Sequence, residues 1–100
     1  MLDCGRITGV DWDEGNARKS ATKHGVTQAE AEQMFLNEPL LVVEDVAHSG
    51  GEPRYHALGH SEAGRLLHAT FTLRRQGTLI RVISARSMSR KERLRYGDEG

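Results

Sequence analysis

The chain has 100 residues, 37% of them hydrophobic and 5% aromatic, with one cysteine and a formal net charge of zero from 14 basic and 14 acidic side chains. That length suits one domain, the lone Cys4 excludes an internal disulfide framework, no apolar run approaches the roughly 20 residues of a membrane span, and so few aromatics disfavour recognition by base stacking. No signal-like segment opens the chain, and a cytoplasmic location is the default expectation.

In chain order, residues 1–6 form a loose lead-in to a single domain over residues 1–100. Ile7 to Trp12 alternates weakly and predicts a short strand. Asp13 is placed to cap a helix running through Lys23, with Gly25 as the left-handed residue that ends it. Thr27-x-x-Glu30 is a capping-box pattern opening a second helix toward Phe35, and Pro39 stops that segment. Leu40 to Glu44 is a short apolar strand. His48-Ser49-Gly50-Gly51-Glu52-Pro53 is a loop by composition. Three strand patterns follow, Arg54 to His60, Arg65 to Leu73 and Thr78 to Ala85, separated by short turns that imply antiparallel neighbours. Ser89-x-x-Glu92 is a second capping box, opening a last helix that Gly97 closes. Helices, then a meander, then a helix predict an α+β fold.

The neutral total hides an asymmetry. Residues 1–50 hold 4 Lys/Arg against 9 Asp/Glu, and residues 51–100 hold 10 against 5. Imbalance between halves accompanies nucleic-acid contact, although solvated charged faces produce it too. The basic block is densest around the last strand and helix, with Arg81, Arg86, Arg90, Lys91, Arg93 and Arg95. Arginine is a permanently charged fork that matches phosphate oxygens, so this block is a candidate anion site.

Side chains two apart on a strand share a face. Arg54, His56, Leu58 and His60 therefore line one face of the first meander strand. Leu66, His68, Thr70 and Thr72 form the polar face of the second. Strict alternation puts Ile80, Val82, Ser84 and Arg86 on one face of the third, and Leu79, Arg81, Ile83 and Ala85 on the other. Register between strands is not given by one sequence.

The order of motifs closely resembles the BrnT family of toxins. It comprises Ile7-Thr8-Gly9-Val10-Asp11-Trp12-Asp13, Asn16, Lys23-His24-Gly25-Val26, His48-Ser49-Gly50-Gly51-Glu52-Pro53-Arg54-Tyr55, Ile83-Ser84-Ala85-Arg86 and Arg90-Lys91-Glu92, and covers about residues 7–96. The resemblance implies a ribonuclease toxin of a type II toxin–antitoxin pair with a RelE-like fold. It implies an α+β antiparallel sheet meander with two N-terminal helices and one C-terminal helix. It also implies silencing by a BrnA-like antitoxin, with operator DNA reached only through that partner. Lys23, His24, Arg54, Arg86 and Arg90 fall on the family's motifs. Relatives often carry His or Thr where this chain has Ser89, so a histidine role there is absent while a cap is kept.

RNA is cut without metal when the ribose 2′-hydroxyl attacks the adjacent phosphate. A base takes its proton, cations meet the crowded charge, and an acid protonates the leaving 5′-oxygen. Arg86 and Arg90 flank the last helix N-terminus and are assigned phosphate binding and transition-state stabilisation, with Arg54 and Arg81 behind them. Arg81, Lys91, Arg93 and Tyr96 are assigned RNA contact. His24 and Lys23 are the first acid–base candidates, while His56 and His68 are chemically suited as well. Plain readings stand beside these. His24 can fix the Gly25 turn, Lys23 can complement a helix dipole, Tyr96 can anchor the last helix, and the meander histidines can line an exposed edge. His56 and His60 lie roughly 13 Å apart along a strand, too far for one zinc ion, and no cofactor is expected. The sequence thus predicts a metal-independent endoribonuclease toxin. The alternative is a non-catalytic nucleic-acid-binding or antitoxin-binding subunit of an autorepressor complex.

Overall fold

The computed structural model describes residues 9–12, 14–48, 53–74 and 77–99. The lead-in at 1–6, the start of the first strand, the Asp13 cap, most of the 48–53 loop and the turn residues Arg75 and Gln76 lie outside the described residues. The elements are β1 (Gly9–Trp12), α1 (Glu14–His24), α2 (Gln28–Leu36), β2 (Leu41–Glu44), a 3-10 turn (Val46–His48), β3 (Arg54–His60), β4 (Leu66–Arg74), β5 (Leu79–Ser87) and α3 (Arg90–Glu99). They form one five-stranded sheet in the order β1-β5-β4-β3-β2. The meander is antiparallel, but β1 runs parallel to β5, which the long connection between them permits.

Local chemistry explains the helix ends. Gly25 adopts φ 67° and its N–H donates to the Ala21 carbonyl, an αL stop for α1. At α2 the Thr27 hydroxyl accepts from the Glu30 N–H at 3.2 Å, and the Glu30 carboxylate accepts from the Thr27 N–H at 3.4 Å. The same box forms at α3, with Ser89 and Glu92 bonded reciprocally at 3.2 and 2.8 Å. Gly97 does not close α3. The positive-φ glycines are 25, 64 and 77, and α3 continues through Gly97 to Glu99. Its backbone is helical there, so no left-handed stop is present.

Cross-strand partners share a face, which sorts the sheet into two. On one face Ala57, Leu67, Ala69, Phe71, Ile80, Val82 and Ala85 pack with Val26, Ala31 and Met34 to make the main core. Gly59 lies so close to α2 that a Cβ there meets the Met34 carbonyl oxygen at 3.1 Å. The opposite face carries Arg54, His56, Leu58 and His60 from β3, and Leu66, His68, Thr70 and Thr72 from β4. α3 covers one end of it through the small cluster of Leu58, Met88 and Tyr96.

β5 departs from strict alternation. His68 pairs with Arg86 and Thr70 with Ser84, but Phe71 pairs with Val82 and Thr72 with Arg81, with a register shift between Thr70 and Phe71. Ile83 is the extra residue of a β-bulge. Ile80 and Val82 therefore join Ala85 on the core face, and Arg81 joins Arg86 on the other. The sequence expectation that Arg81 and Arg86 oppose each other is corrected by this one residue.

Candidate active site

The polar rows of β3, β4 and β5 and the first turns of α3 enclose a cavity of about 430 Å³. Leu41, Val43 and Leu58 form its apolar wall, and His56, His68, Arg86, Lys91, Glu92 and Arg95 its polar one. His56 and His68 come from neighbouring strands, offset by two residues in register, and their rings stack with centroids 5.1 Å apart. Asp45, just past β2, receives His56 Nε2 at 2.8 Å. His56 Nδ1 lies 3.1 Å from His68 Nε2 and 3.1 Å from the Thr70 hydroxyl.

This order fixes the protonation pattern. A carboxylate accepts from His56 Nε2–H, so the neutral ring carries its lone pair on Nδ1, and Thr70 or His68 Nε2–H donates to it. Burial, then the charge of Arg86, pushes His68 down from 6.5 to about 4, against the opposing pull of Glu92. His68 is thus neutral near pH 7. Its Nδ1 is buried and finds no hydrogen-bond partner on another residue among the described residues. Buried polar groups normally find partners, so an unpaired one calls for an explanation such as a catalytic role.

Arg86 reaches across to α3, where its two guanidinium nitrogens donate to the Glu92 oxygens at 2.8 and 2.9 Å. Burial alone pushes the Glu92 carboxyl up. The Arg86 hydrogen bonds, the Ser89 N–H and the nearby charges outweigh it and hold the group at about 2. The α3 cap residue, the cavity arginine and His68, whose Nε2 is 3.9 Å from Glu92, are therefore one connected network.

The other sequence candidates lie elsewhere. Lys23 and His24 end α1, with the His24 carbonyl held by Arg65 at 3.3 Å, and neither lines the cavity. Arg90 and Arg93 are exposed on α3 and also outside the lining. Lys91 lines it. Tyr96 is buried. Its hydroxyl donates to the Pro39 carbonyl at 2.6 Å and lies 2.9 Å from His60 Nδ1, so the ring packs α3 to the sheet and offers no face to a ligand. Arg54 and Arg81 share the open face, four residues along β4 from the His68–Arg86 pair. Arg95 belonged to the basic block read as a candidate anion site, but Asp45 and Glu92 were not singled out as site residues from sequence. Their only signal is the register that brings β3, β4 and α3 together. Among the described residues no three His, Cys, Asp or Glu side chains are grouped to hold a metal ion.

A model of the family described as "Ribonuclease toxin, BrnT, of type II toxin-antitoxin system" matches residues 12–92. Among solved structures, the chain resembles the crystal structure of the Brucella abortus ribonuclease toxin BrnT, with a TM-score of 0.62 and 24% identity over 82% of this chain and 97% of that one. At that identity the likeness speaks for the fold. No curated protein matches. With most of its length, the cavity wall from β2 to the first turn of α3 included, inside the matched span, the chain belongs to the BrnT family of ribonuclease toxins of type II toxin–antitoxin systems.

Proposed function

We propose that the chain is a metal-independent endoribonuclease that cuts by 2′-hydroxyl attack in the cavity between β3, β4, β5 and α3. The observation that carries this reading is the meeting of a carboxylate-backed histidine with an arginine fork in one hollow. His56 is the general base. It takes the 2′-hydroxyl proton at Nδ1 once that hydroxyl replaces the Thr70 or His68 donor there, and Asp45 both holds the productive tautomer and stabilises the imidazolium that forms. His68, neutral and stacked on His56, positions that ring. Arg86 meets the charge developing on the phosphate, exchanging Glu92 for phosphoryl oxygens, with Lys91, Arg95 and the α3 N-terminus beside it, and the leaving 5′-oxygen takes its proton from water as the P–O bond breaks. The apolar wall of Leu41, Val43 and Leu58 faces the base or ribose.

The wider assignments belong to the same proposal. They are a RelE-like architecture, a BrnA-like antitoxin that covers the basic surface, and contact with operator DNA only through that antitoxin; membership in a family of type II toxin–antitoxin toxins supports the antitoxin partner.

The test is purified protein with total RNA in the presence of EDTA. Cleavage leaving 2′,3′-cyclic phosphate ends supports the proposal. His56→Ala is expected to lower kcat/KM by about 10²- to 10⁴-fold and Arg86→Ala by about 10²- to 10³-fold, both folded. RNA that stays intact, together with harmless expression in cells lacking antitoxin, would leave a binding subunit of a repressor complex.

A further inference from the structure

The open face extends beyond the cavity, and its next polar row has no role in the reaction just described. Arg54, Thr72, Arg81 and Asp11 are consecutive register partners across β3, β4, β5 and β1. Arg54 and Arg81 flank Thr72 at about 10 Å from each other, two strand spacings. Their row lies four residues along β4 from the His68–Arg86 row, about 13 Å. That span is covered by two extended nucleotides.

Three observations point to a ligand here. The bulge at Ile83 is what turns Arg81 onto this face, and bulges recur beside active sites where a side chain must be re-aimed. Thr72 is only 6% exposed and its hydroxyl has no hydrogen-bond partner among the described residues, although it sits between two guanidinium-bearing residues. The Arg81–Asp11 contact is a long ion pair, 3.9 Å, between side chains 33% and 48% exposed, and pairs of that kind contribute little.

We infer that Arg54, Thr72 and Arg81 form a second phosphate subsite, which holds the RNA backbone two linkages from the scissile one. The inference rests on the cavity being the cleavage site. Each arginine presents its fork to a non-bridging oxygen, and the Thr72 hydroxyl gains a partner. The strand would run along β4, so the toxin reads a single-stranded segment of at least a few nucleotides by its charge rather than by base stacking.

The test uses non-cleavable 2′-O-methyl oligonucleotides of randomised sequence, two or six nucleotides long, titrated into the full chain and its variants. Arg54→Gln and Arg81→Gln are each expected to weaken the hexamer about tenfold, to leave the dimer unchanged, and to lower the slope of log affinity against log salt by about 0.7. Arg81→Lys, which keeps charge but not the fork, should fall between. Lys19→Gln on α1 removes the same charge elsewhere and should shift neither ligand. Equal loss on dimer and hexamer, or a loss no greater than for Lys19→Gln, overturns the inference. Cleavage of total RNA by the unaltered chain is measured alongside. Intact RNA with length-dependent binding counts only against the ribonuclease reading, and cut RNA without length dependence only against this subsite.

Discussion

Glu92 and His68 show how much chemistry two side chains place under one constraint. Glu92 caps α3 through the Ser89 N–H, holds both nitrogens of Arg86 and faces His68. His68 is buried beside that arginine and resists protonation until about pH 4, against 6.5 for an ordinary ring. Between those values the unfolded state binds the extra proton and the folded state does not. Stability must therefore fall as pH falls across that window, by about 3 kcal/mol if the whole shift is realised. Glu92 acts lower down. Its depressed pKa, about 2 against 4.5, contributes stability in full above 4.5 that is lost as pH falls toward 2. Urea unfolding between pH 7 and 4 should show the first loss, and His68→Asn should flatten it while leaving the drop below 4.5. A His68→Asn variant with an unaltered pH profile would place the buried ring elsewhere.

At the scale of elements, the bulge and the edge of β5 explain both how α1 is held and why part of the site was hidden. Among the described residues β1 pairs with residues 79–82 of β5, and none of them forms a strand on that side of β5 beyond Val82. α1 packs along β5 and supplies the missing partner, for the buried Ser20 hydroxyl accepts from the Ala85 N–H at 3.2 Å. Ser20→Ala leaves that N–H unsatisfied in a dry setting and should cost about 1–3 kcal/mol, measured as a lower unfolding free energy with the slope against denaturant unchanged. Features of this range differ in legibility. Both capping boxes, the Gly25 stop and the three meander strands were readable because each depends on residues a few positions apart. The bulge was not, since a single inserted residue looks like ordinary alternation until a partner strand fixes register. For the same reason Arg86 and Lys91 were legible as cavity cations from local basic density, whereas Asp45 and Glu92 were not. Their meaning comes from partners 11 and 6 residues away. His24 and Lys23 drew attention through a motif whose backbone purpose, a helix stop tied down by Arg65, is what the structure displays.

The whole molecule divides its sheet between two tasks, and the division predicts where it opens first. The core face is thick, built on Phe71, Met34, Leu67 and Val82, all fully buried. The site face is covered at one end by α3, held through the small cluster of Leu58, Met88 and Tyr96. α3 brings Lys91, Glu92 and Arg95 to the cavity, so its seat sets the site geometry. Regions with few buried contacts open at lower free energy than the core they rest on. Tyr96 is the polar part of that seat, with its hydroxyl donating to the Pro39 carbonyl and accepting from His60. Tyr96→Phe keeps the ring in place but removes both bonds, a loss of about 1 kcal/mol. If the seat is local, amide exchange in α3 should quicken about fivefold while β4 amides keep their protection. RNA cleavage should then weaken through displaced Lys91 and Arg95 with little change in the global unfolding midpoint. Uniform acceleration across β4 and α3 would instead mean that α3 unfolds only with the whole sheet. The cavity wall would then be as rigid as the core behind it.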